Sequence, residues 1–486
     1  MSSRKPTIAK TVTVKQATFD LLRAFGIKKV FGNPGSTELP FLSDWPYDID
    51  YVLGLQEASV VGMADGYAQA TRNAGFVNLH SAAGVGNALG NIYTAHRNQT
   101  PLVITAGQQA RSILPLQAFL QAERASEFPR PYVKYSVEPA RAEDVPAAIA
   151  RAYYTAMQPP CGPTFVSVPI DDWTHSAQAV APRKVSREIG PDPEAMKQLV
   201  AALATSKHPA LVVGPGIDRA EAVDLMVKAA EKTKAAVWVS PFSARCSFPE
   251  RHPQFAGFLH ASPGQLSDAL RSYDLVVVIG APVFTFHVEG HASIFDGATA
   301  IFQITDDPTA AAVTPAGTSI VATMKPALSM LLELLPETGR AAPEGRRLPP
   351  APHAADPIPV EFLMHSLAMA MPDDAGAIQR DQHFKARRDK NLSPLEDESG
   401  DGSGVWDSIK QMWCYSAEDE ADDWWVAWGM LRLRSQQTEL NFGMELQVNQ
   451  SPFQRSSRLM HSPEHSTFPR SRRPIIISFE VFLLAR

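Results

Sequence analysis

Two acid–base residue types and a serine stand where short apolar runs of this chain break off. In YVLGLQEASVVGMADGYAQATRN, Tyr51 to Leu55 read as a strand and Val60 to Ala68 as a helix, with Glu57 between them. A carboxylate there can exchange protons with a ligand, or simply favour the first turn of a helix through the helix dipole. In FGNPGSTELPF, the run Asn33-Pro34-Gly35 turns the chain directly after a strand, and Ser36 stands where a helix could begin. Ser36 reads as a helix N-cap or as a ligand hydroxyl, because ligands gather at the carboxyl ends of strands in open parallel sheets. In NLHSAAGVGNALG, His80 ends a strand, as a satisfied core histidine or as an acid–base group.

Two further readings are disfavoured. The glycines after His80 follow G-x-G-x-x-x-G, ending at Gly90, and the next acidic residue is Glu123. A dinucleotide fingerprint wants G-x-G-x-x-G and a carboxylate about 20 positions on. In IGAPVFTFHVEGH, His287 and His291 are four apart, but Gly290 argues against the helix that a metal pair at that spacing needs. A surface loop is the plainer expectation.

The elements that must position these residues alternate. VTVKQATFDLLRAFG reads as a helix, capped by Thr13 and stopped by Gly26. KKVFGNP, YVLGL, AGFVNLH, PLVITAG, YVKYSV and GPTFVSVP read as strands, most of them separated by helical stretches. Apolar runs without strict alternation point to strands buried on both faces, hence a parallel sheet. The polar stretch Asp171 to Glu194 reads as a linker. PALVVGPG, AAVWVSP, DLVVVIGAP, AIFQITDD and SIVATM form a second α/β block, and a Pro-rich linker comes after it. No internal period of solenoid type is present.

Bulk properties narrow the class. A chain of 486 residues suits about three domains at roughly 150 residues each, and 45% hydrophobic content is enough for buried cores. A net charge of −6 gives no support for nucleic-acid binding. Cys161, Cys246 and Cys414 lie far apart without a CxxC pair, against a zinc site or a disulfide framework and in keeping with a reducing compartment. The N-terminus carries no apolar signal core, and the apolar ending PIIISFEVFLLAR is too short to span a bilayer. The expectation is a cytoplasmic protein with no membrane partner.

Taken together, FGNPGSTELPFL, LQEASVVGMADGYAQAT, NLHSAAGVGNALGN, PLVITAGQQAR and VIGAPVFTFH resemble the benzoylformate decarboxylase family of thiamine diphosphate enzymes, over roughly residues 10–375. The resemblance implies an α/β fold with two doubly wound parallel-sheet domains. Residues 8–185 would form the pyrimidine-binding domain and 191–337 the central domain. Residues 338–357 would be a linker and 358–376 the start of a third, diphosphate-binding domain. It implies thiamine diphosphate and Mg²⁺ as cofactors, a small 2-oxo acid as substrate, decarboxylation to an aldehyde and CO₂, and a homodimer or homotetramer. By motif, Glu57 would contact the aminopyrimidine ring and drive formation of the reactive ylide, with Asn33, Pro34 and Gly35 beside the cofactor. Ser36 would bind the substrate carboxylate, His80 would act as acid–base near the carbonyl, and His287 would protonate the decarboxylated adduct. Leu114, Leu116 and Phe119 are candidates for an apolar substrate pocket.

The pattern departs on the C-terminal side. The family's third domain has a buried strand, then GDG, then an Asn-Asn pair that together hold the metal. Here GDGS at Gly400–Ser403 comes after the polar NLSPLEDES, and the nearest later asparagine is Asn441. Asp401 is thus only a weak metal candidate, with a flexible acidic loop as the alternative. From Ala377 to Arg486 the chain reads as a truncated or replaced third domain and a poorly ordered tail. That departure predicts that this chain binds thiamine diphosphate weakly or not at all. It keeps open a binding or dimerisation protein of the same lineage; an acetolactate-synthase-like carboligase is a further alternative.

Overall fold

The computed structural model describes residues 11–345, together with residues 351–355, 359, 362, 365 and 366. The described residues fall within one unit of the chain. The chain enters through β1 (Thr11–Thr13) and α1 (Val14–Ala24). The Thr13 hydroxyl accepts the Gln16 N–H at 3.1 Å, capping α1, and Gly26, at φ +71°, turns the chain out of it. Val14, Ala17, Leu21 and Leu22 recur at helical spacing and are buried, so one face of α1 packs inward.

The first sheet is built from β2 (Lys29–Asn33), β3 (Asp50–Leu53), β4 (Gly75–Leu79), β5 (Leu102–Gln108), β6 (Ser136–Val137) and β7 (Pro163–Pro169). Between them run α2 (Leu39–Leu42), α3 (Glu57–Thr71), α4 (Ser81–Arg97) and α5 (Val145–Met157). The strand order is β3-β2-β4-β5-β7-β6, and every pairing is parallel. β4, β5 and β7 are buried along their whole length, so they have no solvent side toward which residues would alternate. The chain leaves β2 toward β3 on one side and returns to β4 on the other. That reversal opens a crevice at the carboxyl ends of β2 and β4, the usual place for a ligand in this architecture.

Past β8 (Ser176–Gln178), which pairs antiparallel with β1, the chain builds a second sheet. Its strands are β9 (Pro209–Val213), β10 (Ala236–Val239), β11 (Phe255–Phe258), β12 (Leu275–Ile279), β13 (Ala300–Thr305) and β14 (Thr318–Val321), ordered β11-β10-β9-β12-β13-β14 and all parallel. The helices α6 (Pro193–Thr205), α7 (Pro215–Arg219), α8 (Val223–Thr233), α9 (Pro263–Leu270), α10 (Pro308–Ala312) and α11 (Met324–Leu334) connect or flank these strands. Both blocks are thus the parallel α/β domains expected.

Three local expectations need correction. YVKYSV yields only the two residues of β6; the chain bends at Lys134, whose backbone N–H donates to the Pro163 carbonyl at 2.8 Å while its ammonium donates to the carbonyls of Thr155 and Gln158, both at 2.6 Å. The stretch after Asp171 is not all linker: Asp172 and Trp173 are buried. Arg111 grips Asp172 through two bonds of 2.7 Å and so ties the stretch to the first sheet. β11 is absent from the sequence reading because FAGF is short and carries Gly257, and its pairing with β10 is irregular. Asp401, the GDGS loop and the tail from Ala377 lie outside the described residues. Among the described residues, no helix is long and apolar enough to cross a membrane.

Candidate active site

At the end of β2 the chain passes through Asn33, Pro34 and Gly35 into a single 3-10 turn, Ser36–Glu38. Gly35, not Ser36, holds the N-cap position, which leaves the Ser36 side chain exposed at the crevice edge. Thr37 and Glu38 turn the other way and are each 1% exposed. Glu38 accepts the Gly35 N–H at 2.7 Å, the Thr37 hydroxyl at 2.6 Å and the Gly107 N–H at 2.9 Å. Reading the sequence did not single out Glu38. The one available signal was its place three residues after a glycine cap, where a Glu closes a capping box.

His80 stands at the N-cap of α4, immediately beyond β4. Its ring is half-buried, with Nδ1 2.9 Å from Glu38 Oε2 and 3.0 Å from Thr37 Oγ1. It is neither free nor a sealed core histidine. Gly35 lies against the ring: a Cβ there would come within 2.4 Å of it. Ser81 comes next in the left-handed region, at φ +47°, and its hydroxyl donates to the Leu120 carbonyl at 2.5 Å. A non-glycine residue held there marks a position fixed by its surroundings.

Glu57 is the first residue of α3, after Gln56, whose side chain caps the helix by accepting the Ser59 N–H at 2.9 Å. The helix-dipole reading therefore holds, but the side chain is also 9% exposed and turned toward α4. Asn87 donates to Oε2 at 3.1 Å. A Cβ at Gly84 would stand 3.4 Å from Glu57 Oε1 and 3.6 Å from His80 Cβ, so the two side chains flank the same glycine. Below them, burial, and after it the nearby charge of Glu38, pushes the Tyr51 phenol up.

His287 belongs to the loop after β12 in the second block. Its N–H donates to the Ala261 carbonyl at 2.9 Å, and its exposed ring meets Phe242 edge-on. No contact among the described residues brings it to Ser36, Glu57 or His80. His291 pairs with Asp296 at 3.0 Å, on a loop rather than a helix. Among the described residues, Leu114, Leu116 and Phe119 enclose no pocket: Leu116 is 76% and Phe119 86% exposed. The segment is a series of turns whose inward anchor is Ala122, bonded on both sides to the Gln108 amide.

These residues fit the pyrimidine half of thiamine diphosphate. Glu57 is a largely buried carboxylate with one donor, Asn87, among the described residues, and glycine leaves space beside its other oxygen. Such an oxygen can take a ring N–H. The metal–diphosphate half has no candidate set here: among the described residues, no three His, Cys, Asp or Glu side chains form a metal-binding group.

Residues 12–127 match the thiamine pyrophosphate enzyme N-terminal TPP binding domain, and residues 196–331 match the central domain of the same enzymes. Benzoylformate decarboxylase of Pseudomonas aeruginosa is 43% identical over 368 residues, covering 75% of this chain and 70% of that protein. Among solved structures, a thiamin diphosphate-dependent enzyme from Mycobacterium smegmatis superposes with a TM-score of 0.72 at 46% identity, over 75% of this chain and 71% of that one. Benzoylformate decarboxylase from Polynucleobacter necessarius gives 0.72 at 42% identity, over 75% and 69%. The chain belongs to the thiamine pyrophosphate enzyme family that includes benzoylformate decarboxylase.

Proposed function

We propose that the chain carries out non-oxidative decarboxylation of a 2-oxo acid of the benzoylformate kind, giving an aldehyde and CO₂. The observation that carries this reading is the meeting of Glu57 and His80 around Gly84, at the carboxyl edge of a parallel sheet. When bound, thiamine diphosphate supplies the nucleophilic carbon and the electron sink. Glu57 holds the aminopyrimidine ring and moves a proton at its carboxylate oxygen, beside the turn Asn33-Pro34-Gly35. The Ser36 hydroxyl, exposed at the mouth, binds the substrate carboxylate. His80 holds or delivers a proton at the reacting oxygen. His287, from the second block, protonates the product carbon once that loop faces the site.

In this reading residues 8–185 are the pyrimidine-binding domain and 191–337 the central one. Residues 338–357 are the linker and 358–376 the start of the diphosphate-binding domain. The working form is a homodimer or homotetramer in the cytoplasm. Benzoylformate incubated with the chain at excess thiamine diphosphate and Mg²⁺ is expected to yield benzaldehyde and CO₂. Absence of both under conditions where calorimetry shows the cofactor bound would overturn the reading. Formation of a 2-hydroxy ketone from pyruvate instead would shift it to carboligation.

A further inference from the structure

Glu38 has no part in the chemistry just described, yet it is 1% exposed and makes four hydrogen bonds at the rim of the first sheet. The Gly35 N–H donates to Oε2 and the Gly107 N–H to Oε1, and neither amide can accept. The Thr37 hydroxyl gives its single proton to Oε1 at 2.6 Å, so it turns a lone pair toward His80 Nδ1, 3.0 Å away. Oε2 faces the same nitrogen at 2.9 Å. Both neighbours of Nδ1 are then acceptors, and the nitrogen between them must carry a proton. Were Thr37 to donate to Nδ1 instead, a lone pair on that nitrogen would face Oε2 at hydrogen-bond distance, which is repulsive.

The geometry points to Glu38, with Thr37, as a positioning residue that locks neutral His80 in the Nδ1–H tautomer and leaves Nε2 as its proton-exchanging atom. Two backbone amides and a hydroxyl already donate to this carboxyl group, so its oxygens meet the ring as acceptors. Glycines keep the group in place. A Cβ at Gly35 would overlap the His80 ring, and one at Gly107 would come within 2.0 Å of Glu38 Oε1. The parts come from three strand ends, of β2, β4 and β5.

The proposal rests on His80 acting as acid–base, but its test does not. The full chain labelled with ¹⁵N-histidine is examined by long-range proton–nitrogen NMR, with His80 assigned by its loss in His80→Asn. At a pH where the ring is neutral, the proton is expected on Nδ1 with Nε2 bare. Glu38→Gln must set an NH₂ against one of its backbone N–H donors, and it is expected to mix the two tautomers. Thr37→Val is expected to do so more weakly, with Thr37→Ser restoring the single form even if Glu38→Gln fails to fold. A proton on Nε2 in the unaltered chain, or an unchanged tautomer in both Glu38→Gln and Thr37→Val, would overturn the proposal. In turnover, Glu38→Gln is expected to lower kcat at least about tenfold with KM little changed, and to move the pH profile. An Nδ1–H tautomer together with full activity in His80→Asn would instead refute the function given to His80, not its positioning.

Discussion

Glu57 combines two roles that usually exclude each other. It sits where a helix dipole welcomes a carboxylate, and it is nearly buried, with Asn87 as donor to one oxygen and Gly84 beside the other. A glutamine has the same shape and keeps the Asn87 bond, but it cannot move a proton. Glu57→Gln is therefore expected to lower decarboxylation by about 10²–10⁴-fold, and to leave thermal stability nearly unchanged. A rate within a few-fold of the unaltered chain would remove Glu57 from the chemistry. Ser36 is held differently. Its exposed side chain is placed by its turn, so its contribution depends on the substrate that meets it.

At the scale of elements, the second sheet depends on how its helices end. Arg340 donates to the Thr233 carbonyl at the end of α8, and to the carbonyls of Leu203 and Ser206 at 2.8 and 2.5 Å at the end of α6. Helix C-termini leave carbonyls without intrahelical partners and carry partial negative charge, so one guanidinium there satisfies two ends together. Arg340→Ala is expected to destabilise the chain by about 1–2 kcal/mol, read as a lower urea midpoint, with Arg340→Lys recovering part of it. An unchanged midpoint would show that water replaces the guanidinium at no cost. Arg111 does the matching task in the first domain. It joins the segment after β5 to Asp172, and that is why a stretch that reads as linker is built into the core.

Across the whole described molecule, the two sheets are joined through Asp218. Arg72, just past α3, holds it with two bonds of 2.9 Å, and Arg245 of the second block adds one of 3.0 Å. Burial pushes the Asp218 carboxyl up, but the Arg72 bonds and the Arg245 charge outweigh it, so it titrates below the usual carboxylate range. A depressed folded value means that its stabilisation is complete above the unfolded value of about 3.9 and is lost as pH falls through the lower folded value. Asp218→Asn is expected to cost roughly 2–3 kcal/mol at neutral pH, because it leaves the nearly buried Arg245 without its carboxylate. The gap to the unaltered chain should narrow as pH drops below about 4, in denaturant unfolding measured across pH. A gap constant with pH would show that the charge of Asp218 does not join the blocks.

The alternation of elements, the parallel sheets, the Thr13 cap and the chemistry-bearing residues at strand ends were all legible in the sequence. Each is local: a run of apolar residues, a turn, a capping hydroxyl or a motif within a dozen positions. The motifs also carried the family. Tertiary structure alone decided which of those strand ends face one another. Strand order set β2 between β3 and β4, and so brought Glu57 and His80 to one glycine while leaving His287 on a loop of the other sheet. It also decided that Glu38, a neighbour of Ser36 in sequence, turns inward to hold a histidine 42 positions away. A contact between distant residues depends on register and crossover. Local sequence pattern does not encode either, because the same apolar runs are compatible with several orders of parallel strands.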